Sequence, residues 1–155
     1  MSSDDLQQLY QQIILEHAKA RHGDGLVDAP AGTPSGESHQ LNPTCGDEIV
    51  LRAVLDGSSV GEVSWQGQGC SISMASASVL TDLAGGRDKG EVKQLVSTFR
   101  DLLRSRGTME PDEEVLGDAA AFAGVSRYPA RVKCAMLAWV ALDEALEQAG
   151  AQSGT

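Results

Sequence analysis

Positive charge is in short supply in this sequence: 12 Lys and Arg stand against 22 Asp and Glu, a formal net charge of −10. That balance argues against binding a nucleic-acid backbone or an anionic membrane, since both reward a basic surface. Long apolar runs are also missing. The best is the short stretch Cys134–Leu142, well below the ~18 residues that a membrane span needs. The opening Met-Ser-Ser-Asp-Asp carries neither the basic region nor the apolar core of an export signal. Cysteine is sparse as well. Three cysteines cannot all pair within one chain, and without a secretory signal the expected setting is the reducing cytoplasm.

What is present fits one ordinary globular domain over residues 1–155. Apolar residues make up 41% and charged residues 22%, which excludes a wholly disordered chain. Leu6, Leu9, Tyr10, Ile13, Ile14 and His17 fall on one helical face, with Ser2 and Asp5 as a capping box. The segment 21–44 is rich in Gly and Pro and shows no periodicity, so it is expected to be a mobile, structureless loop. Ile49, Leu51, Ala53 and Leu55 alternate as one side of a strand, Asp56-Gly57 supplies a turn, and Val60, Val63 and Trp65 resume the strand: a β-hairpin.

Helical periodicity then takes over. A helix is expected from Ser71, as its cap, to Ala84, closed by Gly85-Gly86. A second runs from Lys89 to Arg104 with Val92, Leu95, Val96, Phe99, Leu102 and Leu103 inward, and a short helical piece follows around Val115–Phe122. Pro129 opens a last helix reaching about Gln148, and residues 149–155 are expected to fray. The expected class is α+β, a small antiparallel sheet packed against several helices.

The cysteines sit where elements begin or end. Cys45 lies in Asn42-Pro43-Thr44-Cys45-Gly46-Asp47, Cys70 directly precedes a helix, and Cys134 lies three residues after Arg131 on the last helix. A helix N-terminus favours thiolate at Cys70. Asp47 shares a side with Cys45 if the strand starts at Cys45. Three sulfurs and a carboxylate would make a closed tetrahedral zinc site, although the separations match no short-spaced zinc pattern. Residue types alone leave the alternatives open: three separately packed thiols, Asp47 as a turn residue, Arg131 as a solvated charge. His17, His22 and His39 show no ligand spacing, and the small series from Ser71 to Ser78 reads as tight helix packing.

These segments resemble the SufU family, within the wider IscU/NifU-like fold. The resemblance runs in order through Leu9-Tyr10 and Ile13-Ile14, then Asn42-Pro43 with Cys45-Gly46-Asp47. It continues through Gly69-Cys70-Ser71-Ile72-Ser73 and ends in Arg131-Val132-Lys133-Cys134-Ala135. It implies one zinc ion per chain on Cys45, Asp47, Cys70 and Cys134, with Cys45 receiving sulfur and Arg131 as the functionally important arginine. It also implies a SufS-type cysteine desulfurase as partner and a downstream SUF scaffold. Lys133 stands where IscU-type proteins carry His, and the stretch from Phe99 to Gly117 is similar to a segment found in SufU and absent from IscU. Both favour a sulfurtransferase; an iron–sulfur scaffold using the same ligands is the alternative.

Overall fold

A computed structural model of the chain describes residues 3–152. The elements run α1 (Ser3–Ala20), β1 (Ser35–Asn42), β2 (Asp47–Asp56), β3 (Ser59–Gln68), α2 (Ser71–Ala84), α3 (Lys89–Arg104), α4 (Glu113–Leu116), a 3-10 segment (Gly117–Arg127) and α5 (Pro129–Gln152). The strands form an antiparallel sheet in the order β1-β2-β3. The expected α+β arrangement is the one found.

The β2–β3 hairpin follows its alternation. Ile49, Leu51, Ala53 and Leu55 are buried and face the helical layer, and Leu51 pairs with Trp65 across the ladder. Helix α5 lies across β1 and β2 and also packs on α2, which in turn packs on α1. In α3 all six apolar residues of the expected face are buried, and Asp88 caps it by accepting from the Gly90 N–H at 2.8 Å. Phe99 of α3 stacks on Trp139 of α5 with ring centroids 4.0 Å apart and meets Phe122 edge-on at 5.8 Å, so both phenylalanines and one tryptophan share one junction. The small residues of α2 let α5 approach closely: Ser76 Oγ donates to the Ala135 carbonyl at 2.6 Å and accepts from Trp139 Nε1 at 2.8 Å.

Several expectations are corrected. The segment 21–44 is not structureless throughout, because Ser35–Asn42 pairs with β2 as a full strand. Cys70, not Ser71, is the N-cap residue of α2, and its side chain makes no capping hydrogen bond. In α1 Leu9 is 43% exposed, so it leaves the inward face that Tyr10, Ile14 and His17 share. The piece around Val115–Phe122 is a short α4 followed by a longer 3-10 segment. Helix α5 continues to Gln152, so residues 149–152 are helical where fraying was expected, and 153–155 lie outside the described residues. Ser2 of the proposed capping box also lies outside them. Among the described residues, no helix is long and apolar enough to cross a membrane.

Candidate metal centre

Three elements converge where β2 begins, α2 begins and α5 completes its first turns. Strand β2 starts at Asp47, not at Cys45 as the strand reading required. Cys45 and Gly46 instead form a turn in which both N–H groups donate to the Asn42 carbonyl, at 3.3 and 2.9 Å. Gly46 has φ +72°, a conformation that glycine adopts without strain. The turn leaves Cys45 exposed while Asp47 is fully buried beneath it.

The fold brings Cys45, Asp47 and Cys134 together and places Cys70 beside Asp47. Cys45 Sγ lies 3.4 Å from the buried Cys134 Sγ, and Cys70 Sγ lies 3.8 Å from Asp47 Oδ2. Ligand atoms of Cys45, Asp47 and Cys134 are all within 4.8 Å of one another. Cys70 stands just outside that triplet and reaches it through Asp47. Zinc–sulfur and zinc–oxygen bonds of about 2.3 and 2.0 Å place tetrahedral ligand atoms roughly 3.5–3.8 Å apart, close to these separations. Three soft thiols and one carboxylate fit zinc by chemistry as well as spacing.

Asp47 is the hub. Its Oδ1 accepts from the Cys70 N–H at 2.9 Å, and its Oδ2 accepts from the Ser73 hydroxyl at 2.7 Å. Burial pushes its carboxyl pKa up, but hydrogen bonds from Cys134, Ser73 and Cys70 outweigh that and leave it below the ordinary value. The Cys134 thiol moves the other way. Burial comes first, followed by hydrogen bonds to Asp47, Cys45 and Cys70 and the charge of Cys70, and its pKa is driven far above the usual thiol range. A cation here would reverse that balance and hold the thiols as thiolates.

Two residues of the cluster escaped the sequence reading. Ser73, taken for helix packing, sits 3.5 Å from Cys70 Sγ as well as on Asp47. Asn42 is buried at the end of β1, with Nδ2 3.8 Å from Cys134 Sγ. Ser73 lies three residues after Cys70 on α2, a spacing that brings side chains together on one helix face. Asn42 entered the sequence reading only through the Asn42-Pro43 resemblance, with no site role, because its strand carries no hydrophobic pattern. Arg131 is exposed on the first turn of α5, its guanidinium 5.3 Å from the centroid of the Tyr128 ring. Beside the cluster, an open groove of about 380 Å³ runs between the end of β1 and α5, lined by Leu41, Pro43, Lys133, Met136 and Val140 among others.

The NifU-like N-terminal domain matches residues 9–148. The chain is 40% identical over 141 residues to the zinc-dependent sulfurtransferase SufU of Bacillus subtilis, covering 90% of each protein. It is 37% identical over 149 residues to the iron–sulfur cluster assembly scaffold protein IscU of Streptococcus pyogenes serotype M1, covering 96% of this chain and 89% of that one. Among solved structures, an iron–sulfur cluster assembly scaffold protein for the SUF system from Fervidobacterium islandicum superposes with a TM-score of 0.72 at 32% identity. That match covers 90% of this chain and 97% of the other.

Proposed function

The chain belongs to the family of NifU-like N-terminal domains, and from that premise we propose that it works in iron–sulfur cluster assembly as a zinc-dependent sulfur acceptor for a SufS-type cysteine desulfurase. The observation that carries this reading is the contrast between thiols: Cys45 is exposed on a turn, while its neighbour Cys134, 3.4 Å away, is buried in α5. Cys70 is exposed as well, but its N–H is bonded to Asp47 at the start of α2, so Cys45, carried on a turn outside any strand or helix, is the exposed sulfur free to move towards a partner.

In this proposal Cys45, Asp47, Cys70 and Cys134 would hold the ion. Zinc, when bound, keeps the thiols deprotonated without redox chemistry of its own. The Cys45 thiolate attacks the outer sulfur of the desulfurase persulfide. A new S–S bond forms on Cys45 as the desulfurase S–S bond breaks, the electron pair leaving with the desulfurase thiolate, so no external oxidant or reductant is consumed. Asp47 and Ser73 hold the start of α2 in register with β2, which fixes Cys70 while Cys45 reacts. Arg131, one helical turn before Cys134, supplies positive charge for the anionic sulfur. The groove lined by Leu41, Pro43 and Met136 gives the desulfurase an apolar footing next to Cys45. From there, sulfur passes to a downstream SUF scaffold.

The test is desulfurase turnover with and without this protein, followed by the mass of the Cys45 peptide. The expected result is acceleration and a gain of about 32 Da, one sulfur. Full acceleration by Cys45→Ala would exclude Cys45 as acceptor. A second reading, a scaffold that builds the cluster on the same ligands, is favoured by the name of the Streptococcus relative. It predicts a coloured protein carrying iron and sulfide, whereas the acceptor reading predicts a colourless one with zinc.

A further inference from the structure

The three histidines show no ligand spacing in the sequence, yet the fold brings two of them together. Helix α1 ends at Ala20, Arg21 takes φ +49°, and the chain folds back so that the His22 ring meets the His17 ring edge-on, centroids 5.3 Å apart. Asp82 on α2 completes the group: ligand atoms of His17, His22 and Asp82 all lie within 4.8 Å of one another. Asp82 is 12 residues beyond Cys70, about 18 Å along a helix rising 1.5 Å per residue, so this cluster is remote from the sulfur site.

We infer that His17, His22 and Asp82 form a second metal site, for a borderline divalent transition ion such as Zn2+, Co2+ or Ni2+. Two imidazoles with one carboxylate suit these ions and are poorly matched to Mg2+ or Ca2+, which prefer oxygen alone. His17 is buried and orientated from both ring nitrogens, Nδ1 lying 2.8 Å from Ser78 Oγ and Nε2 3.0 Å from Asp118 Oδ2. Whichever nitrogen takes the ion, the other keeps the kind of partner that metal-bound imidazoles use to fix ring direction. Ser78 Oγ also accepts from the His22 N–H at 2.9 Å, which fixes the backbone that carries the second imidazole. His22 and Asp82 side chains are about half exposed, 49% and 48%, so an ion has a route in. An ion on His22 Nδ1 would take the place of the hydrogen bond to Asp82 Oδ2, 2.7 Å away, with the imidazole carrying its proton on Nε2. A bound ion would tie the end of α1 to α2.

Titration of the untagged full chain with Co2+ tests this, because thiolate and imidazole sites differ in colour. Thiolate ligation gives sulfur-to-cobalt charge transfer, and an imidazole–carboxylate site gives only weak ligand-field bands. The expected result is one equivalent without charge-transfer intensity, whether or not a first equivalent fills the cysteines, together with a rise in melting temperature. That equivalent disappears in His22→Ala and in Asp82→Asn, both surface changes, while any charge-transfer band is unaltered. Absence of an equivalent without charge transfer in the wild type, or its survival in His22→Ala, overturns the proposal. Failure of the cysteine site to bind Co2+ would instead count against the sulfur-acceptor reading and leave this assignment standing.

Discussion

The backbone N–H of Cys70 donates to Asp47 Oδ1 at 2.9 Å, joining the first residue of β2 to the N-cap of α2. The side chain of Cys70 makes no capping bond of its own. An acidic residue 23 positions earlier in the chain supplies the acceptor instead, from a fully buried carboxylate. A helix N-terminus carries partial positive charge, so an anion held there stabilises it. The same bond fixes the direction of a sulfur that the sequence nominates as a ligand. Fold and site are thus built by one contact.

Asp47→Asn should therefore change the acid limb of stability in the metal-free chain. The folded-state pKa of Asp47 is lowered, so its ionised form favours the native state. That contribution is present above the ordinary carboxylate pKa and is lost as pH falls through the lower folded value. Urea midpoints measured from pH 6 downward should fall less steeply in Asp47→Asn than in wild type. Asp47→Ala, which strands the Cys70 N–H and leaves the Ser73 hydroxyl with its 3.3 Å bond to the Cys134 carbonyl, should cost about 1–3 kcal/mol at neutral pH. Parallel acid limbs for wild type and Asn variant would refute the assignment.

Gly69 offers a separate handle on the same contact. A Cβ placed there would run into Asp47 Oδ1, so Gly69→Ala must push the carboxylate from its position. The residue is exposed, and the hydrophobic core does not depend on it. Folding should persist, while zinc affinity, read by competition with a chromophoric chelator, should drop about tenfold to a hundredfold. An unchanged affinity would show that Asp47 does not contribute to the centre.

The β2–β3 hairpin, α3 and α5 were legible because their apolar residues repeat at periods of two or 3.6. The three cysteine segments were legible as a set, through resemblance, not through spacing. Strand β1 was not legible. Its inward positions are Gly36, Ser38 and Asn42, its only large apolar residue, Leu41, points out at 56% exposure, and so alternation carries no hydrophobic signal. The strand is held by polar contacts to α5, with the Ser38 hydroxyl donating to Glu144 at 2.6 Å and Gln40 Nε2 donating to the same carboxylate at 2.7 Å. Asn42 was hidden with it. The pairing of His17 with His22 depends on a chain reversal at Arg21 that no residue type announces.

That account of β1 makes Gly36 decisive. A Cβ at Gly36 would overlap the Ala145 carbonyl of α5, backbone against backbone, with no flexible side chain to yield. Gly36→Ala should destabilise by about 1–3 kcal/mol, the usual range for overpacking. It should also raise amide exchange along 35–42 more than along β3. A substitution without effect on either would mean that β1 does not lie on α5 as described.

Tyr10 of α1 donates to Glu113 Oε1 at 2.7 Å, anchoring α4 to the first helix. Burial, then the hydrogen bond to Glu113 and its negative charge, raise the phenol pKa to about 12. The raised value favours the protonated native state, so this stabilisation is complete below pH 10, the ordinary phenol value, and is lost as pH rises towards 12. Ultraviolet titration should show one late-ionising phenol, absent in Tyr10→Phe and shifted towards pH 10 in Glu113→Gln. No shift in Glu113→Gln would leave burial as the sole cause and break the proposed link between α1 and α4.

Cys45 and Cys134 provide the sharpest test of the proposed division between a working sulfur and a structural one. Cys45 is exposed on its turn, so in the metal-free chain Cys45→Ala should alter stability by no more than about 0.5 kcal/mol. Cys134 is 3% exposed within α5, and truncating it leaves a small void costing on the order of 1 kcal/mol. Both substitutions remove a candidate zinc ligand and should weaken zinc binding. Only Cys45→Ala should abolish the persulfide outright; Cys134→Ala, with Cys45 intact, should still accept sulfur once supplied at higher desulfurase concentration. A sulfur found on Cys134 in the Cys45→Ala protein would move the acceptor role into the buried position, and the exposure argument that selects Cys45 would fall with it.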